Sequence, residues 1–168
     1  MNHVPLVEII RGNDIESIHF GSVAVVNTRG DLLYQAGNPD FLTFTRSTIK
    51  PFQAEPFLRA GGPARFGFTT REVALLCASH SGEPIHTETV QSMMRKAGCN
   101  EHHLRCGCRE PTVYAATDTP APIGETWSQL HYNCNGKHAV FLASGLQHGY
   151  PLLHLQRLRY WQNGAGRK

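Results

Sequence analysis

The chain begins with short apolar runs that polar and glycine-containing turns separate, and longer apolar patterns follow. Residues 4–10 and 17–27 are rich in valine, isoleucine and aromatic residues, which predicts strands. The sequence Asn-Thr-Arg-Gly-Asp at 27–31 is typical of a turn, and an extended pattern resumes at 31–35. We therefore predict an antiparallel hairpin in this first part of the chain.

Helices are predicted over four later segments. The first covers 47–60, where Ser47 can begin the helix, Pro51 fits its first turn, and a Gly-Gly-Pro sequence ends it. The other three cover 69–77, 85–97 and about 135–147, whereas 99–125 is rich in proline and glycine and is predicted to consist of loops. Strands followed by clustered helices indicate an α+β fold rather than alternating β-α units.

The composition is that of a folded domain. With 168 residues, 40% of them hydrophobic, the chain has the length of one domain and enough apolar residues for a core. No apolar run approaches the roughly 20 residues that span a bilayer, so no membrane association is predicted. The N-terminus lacks the basic start and apolar stretch of a secretory signal, which makes the cytoplasm the expected location.

Charge is distributed unevenly along the chain. Residues 1–125 carry 13 acidic and 11 basic side chains, whereas 126–168 carry five basic side chains and no acidic one. The basic excess is small and no aromatic RNA-binding motif accompanies it, so nucleic-acid binding is not predicted. The five cysteines are an odd number, which argues against a disulfide framework, and they do not form the paired Cys-x-x-Cys pattern of a four-ligand zinc site.

One candidate chemical site is the segment 46–51, Arg-Ser-Thr-Ile-Lys-Pro. Ser47 and Lys50 are three residues apart, so a helix would place them on one face. A lysine amine can accept the proton of a serine hydroxyl and so activate it as a nucleophile. The alternative is that Ser47 only caps a helix and that Lys50 is solvated.

Two further segments carry candidate chemistry. The sequence Ala-Ser-His-Ser-Gly-Glu at 78–83 surrounds Ser79 with small residues, which can expose its hydroxyl beside backbone N–H groups, although an ordinary turn would have the same composition. The sequence Asn-Cys-Asn-Gly-Lys-His at 133–138 places Cys134 and His138 four residues apart, a spacing suited to metal ligation. A capped helix N-terminus explains the same residues.

Together, in this order, these segments resemble the asparaginase II family of the thermolabile rhizobial type. The family pattern includes Val-Glu-x-x-Arg-Gly, Arg-Ser-x-x-Lys-Pro-x-Gln, Ala-Ser-His-Ser-Gly-Glu, Cys-Gly-x-His-x-Pro and Asn-Cys-Ser-Gly-Lys-His. This chain has corresponding segments at 7–12, 46–53, 78–83, 106–111 and 133–138. The resemblance covers about residues 4–150.

The resemblance implies an enzyme that hydrolyses L-asparagine to L-aspartate and ammonia. It implies a fold like that of serine β-lactamases and penicillin-binding proteins, in which an antiparallel sheet packs against helices, and a homodimer is a reasonable assembly. Ser47, Lys50 and Ser79 correspond to catalytic residues, and Cys134 and Lys137 to two ligands of a zinc ion. For substrate binding we expect Arg46, as a partner for the substrate carboxylate, and His80.

The chain also departs from the family pattern. Asn135 occupies a position where the family prefers serine, and Arg109 one where histidine is expected. After residue 150 we find no further family motif, so we expect 1–150 to be the N-terminal part of an asparaginase II-like domain and 151–168 a divergent basic tail. The resemblance also implies a downstream catalytic lysine and a third zinc-binding cysteine, and we expect this chain to lack both. These departures allow an alternative to an active enzyme, namely an inactive truncated or frameshifted remnant of marginal stability. A further alternative is a Ser-Lys enzyme that acts on β-lactams or peptides, but the segments at 78–83 and 133–138 fit it less well.

Overall fold

A computed structural model describes residues 3–152, and the chain divides into two compact units, Met1–Phe44 and Thr45–Lys168. Of the predicted basic tail, only residues 151 and 152 lie inside the described part. The two units have different secondary structure, strands in the first and helices in the second. The α+β class predicted from the sequence is therefore confirmed, whereas the likeness to the serine β-lactamase fold stays a prediction.

The first unit consists of two antiparallel hairpins. Strands β1 (Val4–Arg11) and β2 (Asp14–Gly21) form one, and β3 (Val23–Val26) and β4 (Leu32–Ala36) form the other. The second hairpin is the one that the turn sequence at 27–31 predicts.

The single strand predicted over 17–27 is wrong, because the chain breaks between β2 and β3 at Ser22. The Ser22 hydroxyl accepts a hydrogen bond from the Asn38 N–H at 2.9 Å and lies 2.9 Å from His3 Nδ1. Since these contacts hold Ser22 outside either ladder, residues that read as one apolar run belong to two separate hairpins. Most of the large apolar side chains of these hairpins are exposed, including Ile10, Phe20 and Tyr34.

The second unit contains six α-helices among its described residues. They are α1 (Lys50–Arg59), α2 (Gly62–Phe66), α3 (Thr70–Leu76), α4 (Pro84–Lys96), α5 (Thr112–Ala116) and α6 (Asn135–Gln147). Three short 3-10 turns accompany them, at Arg46–Ile49, Glu101–His103 and Gln129–His131. The predicted helices over 69–77, 85–97 and 135–147 are therefore confirmed, and α2 and α5 are additional.

The predicted helix over 47–60 begins differently. Residues Arg46–Ile49 form a 3-10 turn, and the α-helix begins only at Lys50, directly before Pro51. Proline has no N–H to donate, so it fits the first turn of α1, where that donor would be unused. Arg46 has the left-handed backbone angle φ 52°, an uncommon conformation for a residue other than glycine.

The beginning of α3 is fixed by a reciprocal pair of hydrogen bonds. The Thr69 N–H donates to Glu72 Oε2 at 2.6 Å, and the Glu72 N–H donates to Thr69 Oγ1 at 3.3 Å. Lys96 Nζ lies 2.7 Å from the same Glu72 oxygen. Burial alone would raise the pKa of Glu72, but the hydrogen bonds from Lys96 and Thr69 outweigh it and lower that pKa. The carboxylate thus connects α3 to the end of α4.

Helix α6 lies at the centre of the second unit and contacts α1, α3 and α4. Its N-terminus approaches α3 closely at Gly136, where a Cβ atom would lie 2.5 Å from the Leu75 carbonyl oxygen. This approach places the start of α6 beside the loop that follows α3. The side chains buried between the helices include Phe57, Leu76, Val90, Met93, Met94, Val140 and Ala143.

Candidate active site

The amine of Lys50 joins the first turn of α1 to the loop after α3. Lys50 is only 2% exposed, and its Nζ lies 2.6 Å from Ser79 Oγ and donates a hydrogen bond to the Ala78 carbonyl at 2.7 Å. No carboxylate pairs with this amine within the described part of the chain. The explanation that Lys50 is solvated is therefore wrong, and a buried amine lies in direct contact with a serine hydroxyl.

Ser47 and Arg46 lie on the 3-10 turn that precedes α1. Both are exposed, and neither side chain has a hydrogen bond or ion pair among residues 3–152. The backbone carbonyl of Ser47 accepts a hydrogen bond from the Lys50 N–H, which keeps the two residues one turn apart. The structure thus brings Lys50 together with Ser79, but it shows no hydrogen bond between Lys50 and the Ser47 hydroxyl.

His80, the residue after Ser79, is 4% exposed and uses both ring nitrogens. Its Nδ1 accepts from the Gly82 N–H at 3.1 Å, so its Nε2 carries the proton and donates to Asn135 Oδ1 at 2.6 Å. Burial lowers the pKa of His80 and thus favours this neutral form. A direct contact between His80 and substrate would require one of these two bonds to break.

Asn135 connects the loop at 77–83, called the Ser79 loop below, to the turn before α6. It is fully buried, and its Nδ2 donates to the carbonyls of Gln129, at 3.1 Å, and Leu130. The His80 N–H also donates to the Asn133 carbonyl at 3.1 Å. The sequence identified Asn135 only as a departure from the family pattern and missed this connecting role. The signal available in the sequence was an amide at the N-terminus of a helix.

Cys134 and Lys137 lie at the beginning of α6, both half-buried. The Lys137 amine lies 5.8 Å from the centre of the Phe141 ring. His138 is buried, its Nδ1 has no hydrogen-bond partner, and burial lowers its pKa to about 4. Cys106 lies near the turn before α6, since its Sγ is 3.6 Å from the Gln129 carbonyl oxygen. Burial raises the pKa of the Cys106 thiol to about 12.

Comparison with known proteins identifies the family to which the chain belongs. A family model described as L-asparaginase II matches residues 7–160, which is most of the chain. The chain belongs to the L-asparaginase II family. All the residues described above, from Arg46 to His138, lie within the matched range. A comparison with curated proteins finds no match.

For a member of the L-asparaginase II family, the expected zinc ion can be tested against the donors present. Zinc takes four ligands in a closed site, or three protein ligands and a water in an open one. Cys134 and Lys137 supply two donors, and the described residues contain no group of three or more histidine, cysteine or acidic side chains able to hold a metal. Residues 3–152 therefore do not complete a zinc site, and zinc binding stays a prediction.

None of the helices in residues 3–152 is long and apolar enough to span a membrane.

Proposed function

We propose that this chain is an L-asparagine amidohydrolase in which Ser79 is the nucleophile and Lys50 the general base. The observation that carries the proposal is the 2.6 Å contact between Lys50 Nζ and Ser79 Oγ. This distance is within the range over which a general base removes the proton of its nucleophile. The membership of the L-asparaginase II family supports asparagine as the substrate.

The first half of the reaction forms an ester. Lys50, in its uncharged form, takes the proton of the Ser79 hydroxyl, and Oγ attacks the carbon of the side-chain amide. The Ala78 carbonyl accepts one N–H of the amine and so orients its lone pair toward Oγ. The protonated Lys50 then donates its extra proton to the amide nitrogen, the carbon–nitrogen bond breaks, and ammonia leaves an aspartyl ester on Ser79.

The second half of the reaction hydrolyses this ester. Lys50, uncharged again, takes a proton from a water molecule, and the water oxygen attacks the ester carbon. The carbon–oxygen bond to Ser79 breaks, and Oγ recovers its proton from Lys50. The products are L-aspartate and the free enzyme, so that one water molecule is consumed for each ammonia released.

The negative oxygen of each tetrahedral intermediate needs hydrogen-bond donors. The backbone N–H groups of Ser79 and Ser81 make no hydrogen bond within the described part of the chain, whereas that of His80 is used by the Asn133 carbonyl. A nucleophile's own N–H is well placed for this role because it belongs to the same residue as the attacking oxygen. We therefore assign the Ser79 N–H as an oxyanion donor.

Arg46, Ser47 and His80 complete the proposal in different roles. The guanidinium of Arg46, which has no partner among residues 3–152, is available to hold the α-carboxylate of the substrate. Ser47 stays a second catalytic candidate because it lies one turn before Lys50. Since both ring nitrogens of His80 are engaged, we assign it to holding the Ser79 loop in shape.

The test is ammonia release from L-asparagine by the purified chain and its variants. Ser79→Ala and Lys50→Met should each lower kcat about 1000-fold, a loss typical for a nucleophile or its base. Ser17→Ala, at an exposed serine on β2, should leave kcat unchanged. Circular dichroism would establish that each variant is folded.

Three results would contradict the proposal. Full activity of Ser79→Ala would exclude Ser79 as the nucleophile, and full loss in Ser47→Ala alone would transfer that role to Ser47. A folded wild-type chain that releases no ammonia would exclude the activity itself.

A further inference from the structure

A cavity of about 320 Å³ borders the Ser79 loop at Gly82 and Glu83, and nothing in the proposed reaction uses it. The rest of its lining comes from the first turn of α4, from α5 with the proline before it, and from the segment before α6. Gly82 has φ +86°, and a Cβ atom there would lie 2.8 Å from Pro111 Cβ. The volume is at the lower end of the range for small-ligand sites.

Three aromatic rings form a continuous group in this cavity. The Tyr114 and Trp127 rings are 5.6 Å apart, and the Trp127 and His131 rings 5.3 Å apart. Neither the Tyr114 hydroxyl nor the Trp127 N–H has a hydrogen-bond partner among the described residues. The cavity therefore offers π-electron faces together with two unused polar groups.

The charges in the lining are of one sign. Glu83 and Glu125 both face the cavity, and no lysine or arginine belongs to its lining. Glu83 accepts a hydrogen bond from Ser81 Oγ and lies 3.8 Å from His86 Nδ1, whereas Glu125 has no partner among residues 3–152. These carboxylates would repel an anion and attract a cation.

We propose that this cavity binds a small organic ammonium ion. Aromatic faces attract an ammonium group through their negative π-electron density, and they also contact its alkyl groups. A carboxylate in the lining attracts the positive charge of an ammonium ion and gives no such attraction to a neutral ligand. The inference does not depend on the amide hydrolysis proposed above, because binding here requires neither Ser79 nor Lys50.

The test compares choline with its uncharged carbon isostere, 3,3-dimethylbutan-1-ol, by calorimetric titration of the whole chain at low ionic strength. The two probes have nearly the same shape, so a difference in affinity measures the charge. Choline should bind more tightly, and Glu125→Gln should weaken choline binding about five-fold, as expected for one charge–charge contact near a surface. Trp127→Leu, which keeps an apolar side chain but removes the π system, should weaken it by a similar factor.

Two control variants separate this site from its surroundings. Glu88→Gln removes one negative charge from the exposed face of α4, outside the cavity lining, and should leave the affinity for choline unchanged. Ser79→Ala should also bind choline normally, even if it has lost amide hydrolysis. Equal affinity for choline and the isostere, or choline binding that Glu125→Gln and Trp127→Leu leave unchanged, would overturn the proposal.

Discussion

Replacing Asn135 by alanine tests whether the buried amide holds the candidate site together. The change removes three hydrogen bonds at once, two donated by Nδ2 to Gln129 and Leu130 and one accepted from His80. The His80 Nε2–H and the Leu130 carbonyl then lose these partners in the protein interior. An unsatisfied buried polar group costs about 1–3 kcal/mol, so we expect the free energy of unfolding to fall by about 4 kcal/mol.

The measurement is urea unfolding followed by far-ultraviolet circular dichroism, which reports on the helices of the second unit. A loss of this size corresponds to a decrease in Tm of about 10 °C for a chain of this length. Asn133→Ala is the matched control, because that side chain has no hydrogen bond within the described residues and its carbonyl keeps the bond to the His80 N–H. We expect it to cost less than about 1 kcal/mol.

The comparison between the two asparagine variants decides the result. Equal losses of stability for Asn135→Ala and Asn133→Ala would refute the reasoning, because within the described part of the chain only the Asn135 amide is engaged. A stable Asn135→Ala variant with full ammonia release would show that the Ser79 loop keeps its shape without the His80–Asn135 bond.

Three further predictions concern stability. Lowering the pH from 7 to 5 should reduce the free energy of unfolding, because burial lowers the pKa values of His80 and His138 in the folded chain and protons therefore bind preferentially to the unfolded chain. Urea unfolding of His80→Gln should show a weaker pH dependence, because only the contribution of His138 would remain of these two. Glu72→Gln should lower the free energy of unfolding by about 2 kcal/mol, since it removes charge-assisted hydrogen bonds. Glu88→Gln, on the exposed face of α4, should lower it little. Urea unfolding of both variants measures the difference. Gly82→Ala should lower Tm more than Gly98→Ala, because both positions have positive φ but only the Cβ at Gly82 would meet other atoms within 4 Å.

Much of the helical part of this fold could be predicted from local sequence signals. Thr69 and Glu72 form the pair of hydrogen bonds that begins α3, and glutamate three residues after threonine is a known signal for such a start. The hairpin of β3 and β4 follows from the turn composition at 27–31. Such features depend on residues close together in the chain, so a sequence shows them directly.

Features that depend on distant residues could not be predicted in this way. The spacing of Ser47 and Lys50 suggested a pair on one helix face, but the Lys50 amine contacts Ser79, which is 29 residues further along the chain. The role of Asn135 likewise depends on His80, 55 residues before it. The family pattern identified Ser79 and Lys50 as chemically important, whereas their direct contact became visible only in the fold.

Because Lys50 is buried, its reactivity can report how often α1 and the loop after α3 separate in the folded chain. Acylating reagents modify amines that solvent can reach, and this amine is almost inaccessible while α1 and the loop after α3 are in place. The half-buried amine of Lys137 should be acylated sooner, and Lys50 only during transient separation of these two segments. The rate at which Lys50 is acylated, followed by mass spectrometry, would then give the frequency of that separation.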